Sequence, residues 1–268
     1  MKLTLTAVLC LLFYYLPCQS TYHFPGGASI QSLCGISVLL EGPETSYLNP
    51  ASTAAIKANT AIDASGGQLP GLSNLLQPGI GIIHKIKGSV LGLSISRNGV
   101  SEFRYTQLGL SYARPLLKNM DIGVRLNAGS LRIKDYGSAL QFSIDLGFTG
   151  SINKISSLGF YVTYPAYTTA SKSLAIPLRL AAAYGYKANT KTKMILEIEK
   201  IEDRTISPKI GFVYQPITAL EIRLSTDFMR TMAGWGMGYG LKHNTLMTSY
   251  TYHRDLGGLL GISLQWMK

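Results

Sequence analysis

Eight charged residues stand at strand-like spacing on the side of each segment that carries no large apolar group: Arg125, Asp145, Arg179, Glu197, Glu199, Glu221, Arg223 and Asp227. Pairs at i, i+2, such as Glu197 with Glu199 and Glu221 with Arg223, share one face of a strand. Two roles are open to such a set. Opposite charges on segments 191–201 and 219–229, with one strand between them, pair across an enclosed space and anchor whatever fills it. Alternatively, the same groups line a polar path for a solute. Covalent chemistry has less to work with. Ser249, Thr251 and His253 share a face, but no acid stands where it would orient the histidine. No His, Cys, Asp and Glu set has metal-ligand spacing, and no glycine-rich loop opens a helix to cradle phosphate. The expectation is a chain that is not an enzyme and uses no cofactor or metal.

The elements that must position these charges are written in strict alternation. Over 121–130, Ile122, Val124, Leu126 and Ala128 point one way, and Asp121, Gly123, Arg125, Asn127 and Gly129 the other. Leu140, Phe142, Ile144, Leu146 and Phe148 repeat the pattern against Gln141, Ser143, Asp145, Gly147 and Thr149. Trp235, Met237, Tyr239 and Leu241 repeat it against glycines. A period of two with one greasy face is a half-buried strand. A transmembrane barrel requires that pattern, with lipid outside and a polar lumen inside. Leu126, Phe142 and Leu224 are therefore expected on the outside and Arg125, Gln141 and Arg223 within. Inward glycines (Gly109, Gly123, Gly129, Gly147, Gly185, Gly211, Gly236, Gly238, Gly240) leave room for a plug or permit tight curvature.

Turn signals place strands near 54–64, 79–86, 89–97, 104–115, 120–132, 139–151, 156–164, 177–188, 191–201, 207–215, 219–229, 233–242, 245–253 and 258–267. About fourteen segments of roughly ten residues suit a tilted membrane strand; twelve is the alternative count. Every second connection is tight, and Lys85, Lys87, Lys118, Lys154, Lys187, Lys191, Lys193, Lys242 and Lys268 sit beside those tight turns. Short turns mark the periplasmic end of an outer-membrane barrel. The lysines there either meet anionic headgroups or are simply solvated turn residues. Tyr105, Tyr112, Tyr161, Tyr164, Tyr184, Tyr186, Tyr214, Tyr239, Tyr250 and Trp266 lie near strand ends, as interface girdles do.

Composition and leader agree. Lys2, the apolar run Leu3–Leu16 and Cys18-Gln19-Ser20 read as a signal peptide over residues 1–20. A lipoprotein reading with Cys18 as the lipidated residue is disfavoured, because Tyr15-Leu16-Pro17 are not the small residues a lipobox needs. Loss of the leader leaves Cys34, a small apolar packing residue by type. Charged residues make up only 15% of the chain, against about a quarter in a soluble domain. The net charge of +11 does not point to nucleic acid, which an exported chain does not meet.

Residues 21–53 break the alternation. Ser29 to Leu40 suits one short helix, and Asn49-Pro50 forces a turn, since the residue before proline leaves the helical region. Gly26-Gly27-Ala28, a short apolar segment, and Asn49-Pro50-Ala51 ahead of the first strand resemble the start of FadL-like and PorV-like outer-membrane barrels. Tyr252-His253-Arg254-Asp255-Leu256-Gly257, followed by Leu260, Ile262, Leu264 and Trp266, is similar to the last hairpin of small PorV-like members from the Bacteroidota. The resemblance implies an all-β fold: a fourteen-stranded antiparallel transmembrane barrel over 54–268 with a helical plug over 21–53. Asn49, Pro50 and Ala51 would form the hinge of that plug. It implies residence in the outer membrane of a Gram-negative bacterium, among phospholipid and lipopolysaccharide. Within the family one branch passes hydrophobic small molecules and another serves type IX secretion as an accessory that meets secretion-system proteins. The chain departs from both in its short outer connections; only Leu69–Leu76 offers an apolar loop. Passage of small hydrophobic molecules is the leading expectation, and the accessory role the alternative.

Overall fold

Alternating segments of this kind satisfy their backbone groups only by pairing with neighbours, and here the pairing runs full circle. The computed structural model describes residues 27–268 apart from 70–71, 170–174 and 255–256. The leader over 1–20, with Cys10 and Cys18, and Gly26 lie outside the described residues.

The strands are β1 (Thr60–Leu69), β2 (Leu72–Leu76), β3 (Gly79–Ile86), β4 (Ser89–Gly99), β5 (Phe103–Leu117), β6 (Met120–Ile133), β7 (Gly137–Ser151), β8 (Ser156–Thr168), β9 (Arg179–Lys187), β10 (Thr192–Ile201), β11 (Ser207–Ile217), β12 (Leu220–Asp227), β13 (Met232–Leu241), β14 (Asn244–His253) and β15 (Gly257–Met267). Each is antiparallel to the next. β1 pairs with β3 on one side and with β15 on the other, so the sheet closes. β2 is a short hairpin on the tip of β1, where Leu69 faces Leu72, and stands outside the circuit. Fourteen strands therefore make the barrel. Reciprocal bonds between Thr60 and Lys268, both 2.9 Å, fasten the seam at the short-turn end.

Several boundaries differ from expectation. β1 starts at Thr60 and not near 54, because Pro50–Ala55 winds into a 3-10 turn. β5 to β8 run longer than ten residues. The ladder continues through Phe103 opposite Ile133, which reduces the outer connections beside β5 and β6 to 100–102 and 134–136.

The wall has an apolar exterior from β3 round to β15, with Leu93, Leu110, Phe142, Leu224 and Leu264 all exposed. Leu126 is 55% exposed while Arg125 beside it is 3% exposed. Water-soluble monomers rarely expose an apolar patch beyond a few hundred Å²; this belt girdles the molecule.

The core is the lumen. Residues from Gly27 to Ile56 fold back into it and are almost entirely buried. The helix expected over 29–40 is a single turn, α1 (Ala28–Gln31). Cys34 (φ 47°) and Gly35 (φ 72°) turn left-handed, and the Gly35 N–H returns to the Ile30 carbonyl at 3.1 Å, so the helix ends there. A second 3-10 turn, Pro43–Tyr47, follows.

Candidate functional site

Barrel strands alternate, so every inward position meets the plug, and the inward side chains are those the plug backbone can use. Arg125, Asp145, Arg179, Glu197, Glu199, Arg223 and Asp227 are buried, and Glu221 is half-buried. Three of them hold plug main chain. Glu197 accepts the N–H groups of Ser37 and Val38 at 2.7 and 3.0 Å. Arg125 donates to the Ser46 carbonyl at 2.9 Å, and Arg223 to the Ser29 carbonyl at 2.7 Å. Arg179 reaches the Ser37 hydroxyl at 3.0 Å.

The same groups pair with each other. Asp145 receives Arg125 at 2.5 Å and Asn127 at 2.8 Å. Arg179 is bonded to Glu199. Arg223 sits 2.5 Å from Glu221 and 3.3 Å from Glu44 of the plug. Asp227 takes another role: it accepts the Ser207 hydroxyl at 2.5 Å and the N–H groups of Met229 and Arg230 at 3.2 and 3.0 Å, capping the β12–β13 turn. The pairing expected between 191–201 and 219–229 runs instead through residues that the charge pattern did not single out. Lys209 of β11, fully buried, lies 3.2 Å from both Glu197 and Glu199 and donates to the Gly35 carbonyl at 3.0 Å. Arg230, read as a loop residue, folds back to Glu199 at 2.5 Å. Lys209 was detectable, since it shares the inward face with Gly211; Arg230 lies in a turn, where period two says nothing.

Asn49, Pro50 and Ala51 are buried against the wall. The Asn49 side chain accepts the Ala51 N–H at 3.0 Å and donates to the Val38 carbonyl at 2.9 Å, tying two plug segments together. The motif fits a notch of missing side chains: a Cβ on Gly123 would stand 2.5 Å from Ala51 N, and one on Gly147 would collide with the Asn49 amide oxygen. Thr251 donates to the Gln31 carbonyl at 2.8 Å and so belongs to the plug's anchorage. Cys34 is buried in the plug; burial pushes its thiol up to about 11, although a hydrogen bond from Ser225 pulls the other way.

Two of the tyrosines expected in an outer girdle point inward. Tyr105 and Tyr161 are 2% and 3% exposed, whereas Tyr112, Tyr164, Tyr186, Tyr214 and Tyr239 face out. The reason is register: Tyr105 and Tyr161 share their faces with Gly109 and Gly159, which are inward positions. With Tyr47, Leu48, Ile176 and Pro177 these two rings form the apolar side of a cavity of about 90 Å³ at the long-loop end, whose remaining lining is polar and includes Arg125, Asp145 and Arg179. The Arg179 guanidinium lies over the Tyr161 ring, 5.1 Å from its centroid. At the short-turn end a larger space of about 370 Å³ is lined by Leu39, Leu40, Ile195, Val213, Lys193 and Arg223. One continuous buried apolar cluster joins the two: Leu48, Tyr47 and Tyr161 at one end, Ala181, Ala183, Val38 and Ile36 between, Leu39, Leu40 and Ile195 at the other.

No family model matches the sequence, and no curated protein sequence matches it. Solved structures do match in fold. The toluene transporter TbuX of Ralstonia pickettii superimposes with a TM-score of 0.71 at 10% identity, covering 91% of this chain and 98% of that one. The toluene transporter TodX of Pseudomonas putida gives 0.69 at 10% identity over 93% and 100%. A FadL homologue of Pseudomonas aeruginosa gives 0.65 at 12% identity over 93% and 100%. The chain shares the barrel fold of these three proteins over about nine-tenths of its length.

Proposed function

We propose that the chain is an outer-membrane barrel of a Gram-negative bacterium, exported through a cleaved leader, that passes small hydrophobic molecules along its lumen and performs no covalent chemistry. The apolar seam carries this reading: Tyr161, Ala181, Ala183, Ile195 and the plug residues that face them join a cavity at one end to a cavity at the other. An apolar solute gains free energy along such a seam at about 25 cal/mol per Å² removed from water, while an ion gains nothing there. The exposed apolar belt supports residence in a bilayer. The fold neighbours named as toluene transporters support the substrate class, and a monoaromatic ring is the natural probe. The plug closes the seam in the state described, so passage requires its side chains to move.

The test is uptake of dilute labelled toluene by cells that carry the protein in their outer membrane and cells that lack it. Faster uptake, abolished when Ala183→Trp fills the seam in an assembled barrel, is the expected result. Equal uptake with and without the protein overturns the reading.

A further inference from the structure

On β4 to β7 the outward apolar series stops short of the long loops and arginine and hydroxyl groups replace it. Arg97 continues the outward series Leu91, Leu93, Ile95; Arg104 and Thr106 continue Leu110 and Leu108; Ser130 and Arg132 continue Leu126 and Ala128. The register places them on two adjacent rungs. Arg97 stands opposite Thr106 and Thr106 opposite Ser130; Arg104 stands opposite Arg132 and Arg132 opposite Ser138. Together they line an open depression of about 570 Å³ on the outside of the wall. The rung below is apolar: Ile95, Leu108, Ala128 and Phe142.

Two like charges directly opposite each other weaken a strand pair. Arg104 facing Arg132 is therefore a liability that an anion seated between them would relieve. Of the acids in the adjoining loops, Glu102 is engaged by the Ser101 hydroxyl at 2.7 Å. At the long-loop ends of several other strands large aromatics are exposed, as at Tyr167, Phe228 and Tyr252, whereas here three arginines lie together on two adjoining rungs. Guanidinium forks match phosphate oxygens bidentately, and hydroxyls complete the shell. The apolar rung beneath adds a second requirement, because whatever binds above must have a greasy part below. An acidic polypeptide or a free anion has no need of it.

We propose that this patch binds the phosphorylated headgroup of an outer-leaflet glycolipid, lipopolysaccharide, with its acyl chains lying on Ile95, Leu108 and Phe142. The proposal rests on the outer-membrane reading. The test starts from the wild-type chain and Arg97→Gln/Arg104→Gln/Arg132→Gln, both extracted in mild detergent and checked for outer-membrane fractionation and heat-modifiable migration. Native mass spectrometry then reads the retained lipid. Wild type should hold phosphorylated glycolipid, and the variant about tenfold less or lower still, the loss of one charge-assisted contact or more. Dephosphorylated lipid A should compete poorly, and inorganic phosphate should not displace the bound lipid. Equal retention by the variant, equal binding of dephosphorylated lipid, displacement by phosphate alone, or arginine-dependent retention of a polypeptide instead would each overturn the proposal. A wild-type chain missing from the outer membrane removes the membrane reading and this site with it. A chain present there but holding lipid independently of the arginines removes this site alone.

Discussion

The carboxylate of Glu197, on β10, accepts the main-chain N–H of Ser37, in the plug, at 2.7 Å. The contact is typical of how the plug is held: wall side chains bind plug backbone, as Arg125 does at Ser46, Lys209 at Gly35 and Thr251 at Gln31. Charged groups fully enclosed in a lumen are tolerated only when paired and hydrogen-bonded. Here one network meets both needs, because the charges pair with one another and four of them, Glu197, Arg125, Lys209 and Arg223, also bind plug backbone. The network anchors the plug largely through its backbone, with the Glu44 carboxylate and the Ser37 hydroxyl as its side-chain contacts.

Removing one member of such a network leaves its partner buried and unpaired, at about 3–5 kcal/mol. Glu197→Ala should thus loosen the plug while the strand ladder, which does not involve this carboxylate, keeps the barrel closed. Cys34, buried beside the network, is the reporter. Maleimide labelling of Cys34 in assembled barrels should rise clearly in Glu197→Ala. It should stay near wild type in Glu221→Ala, whose half-buried carboxylate bonds only wall residues, Gln215 and Arg223. Equal labelling in both variants would mean the carboxylate is not an anchor.

The wall makes a sharper demand. Leu126 faces out at 55% exposure and Asn127 faces in at 4%. Arginine on the lipid face near mid-height costs about 2–4 kcal/mol. Inside, an arginine at 127 would find Asp145, which Asn127 already contacts at 2.8 Å. Leu126→Arg should reduce the heat-modifiable, assembled fraction well below that of Asn127→Arg. The same yield from both would contradict the inside–outside assignment.

The glycine notch predicts a defect of the plug with an intact barrel. Gly123 and Gly147 lie against Asn49, Pro50 and Ala51 so closely that a side chain has no space. Gly123→Leu should displace the motif, raising Cys34 labelling as the loss of Glu197 does. Gly240→Ala is the control, since its Cβ would meet nothing nearer than 3.5 Å. Labelling of Gly123→Leu no faster than that of Gly240→Ala would show that the plug seats without the notch.

Much of this was readable in the sequence, for a physical reason. Period two is a local property, so the strands over Gly79–Ile86 and Thr192–Ile201 and the inward placement of Arg125, Asp145 and Glu199 follow from neighbours in the chain. Closure into a lumen is not local. Tyr105 and Tyr161 sit near strand ends like girdle residues, but they share parity with the inward Gly109 and Gly159, and nearness to a strand end does not tell one face from the other. Lys209 has the right parity within 207–215, on the face of Gly211, but is not among the charges singled out. The helix expected through Leu40 ended early because the left-handed pair Cys34-Gly35 closes it and outweighs an apolar spacing shared by helix and irregular plug alike. The secretion-accessory half of the family resemblance gained nothing from the fold, which speaks for architecture and not for partners.

Removal of residues 26–44 is the most direct test of what the plug does. Closure rests on strand pairing, and β1 remains fastened to β15 through Ala61–Met267 and the rungs beyond, so the shortened chain should still assemble. Its loss uncovers Glu197, Arg179, Lys209 and Arg223 to lumen water, where charge is cheaply solvated. Conductance in planar bilayers should rise well above the wild-type level, and cells should become sensitive to small polar antibiotics that the plugged barrel excludes. Toluene uptake should at the same time lose its dependence on Ala183, because the seam is half plug: Ile36, Val38, Leu39 and Leu40 form one side of it. An assembled barrel with unchanged conductance would mean that wall side chains close the lumen by themselves, and the transport function would then have to be abandoned.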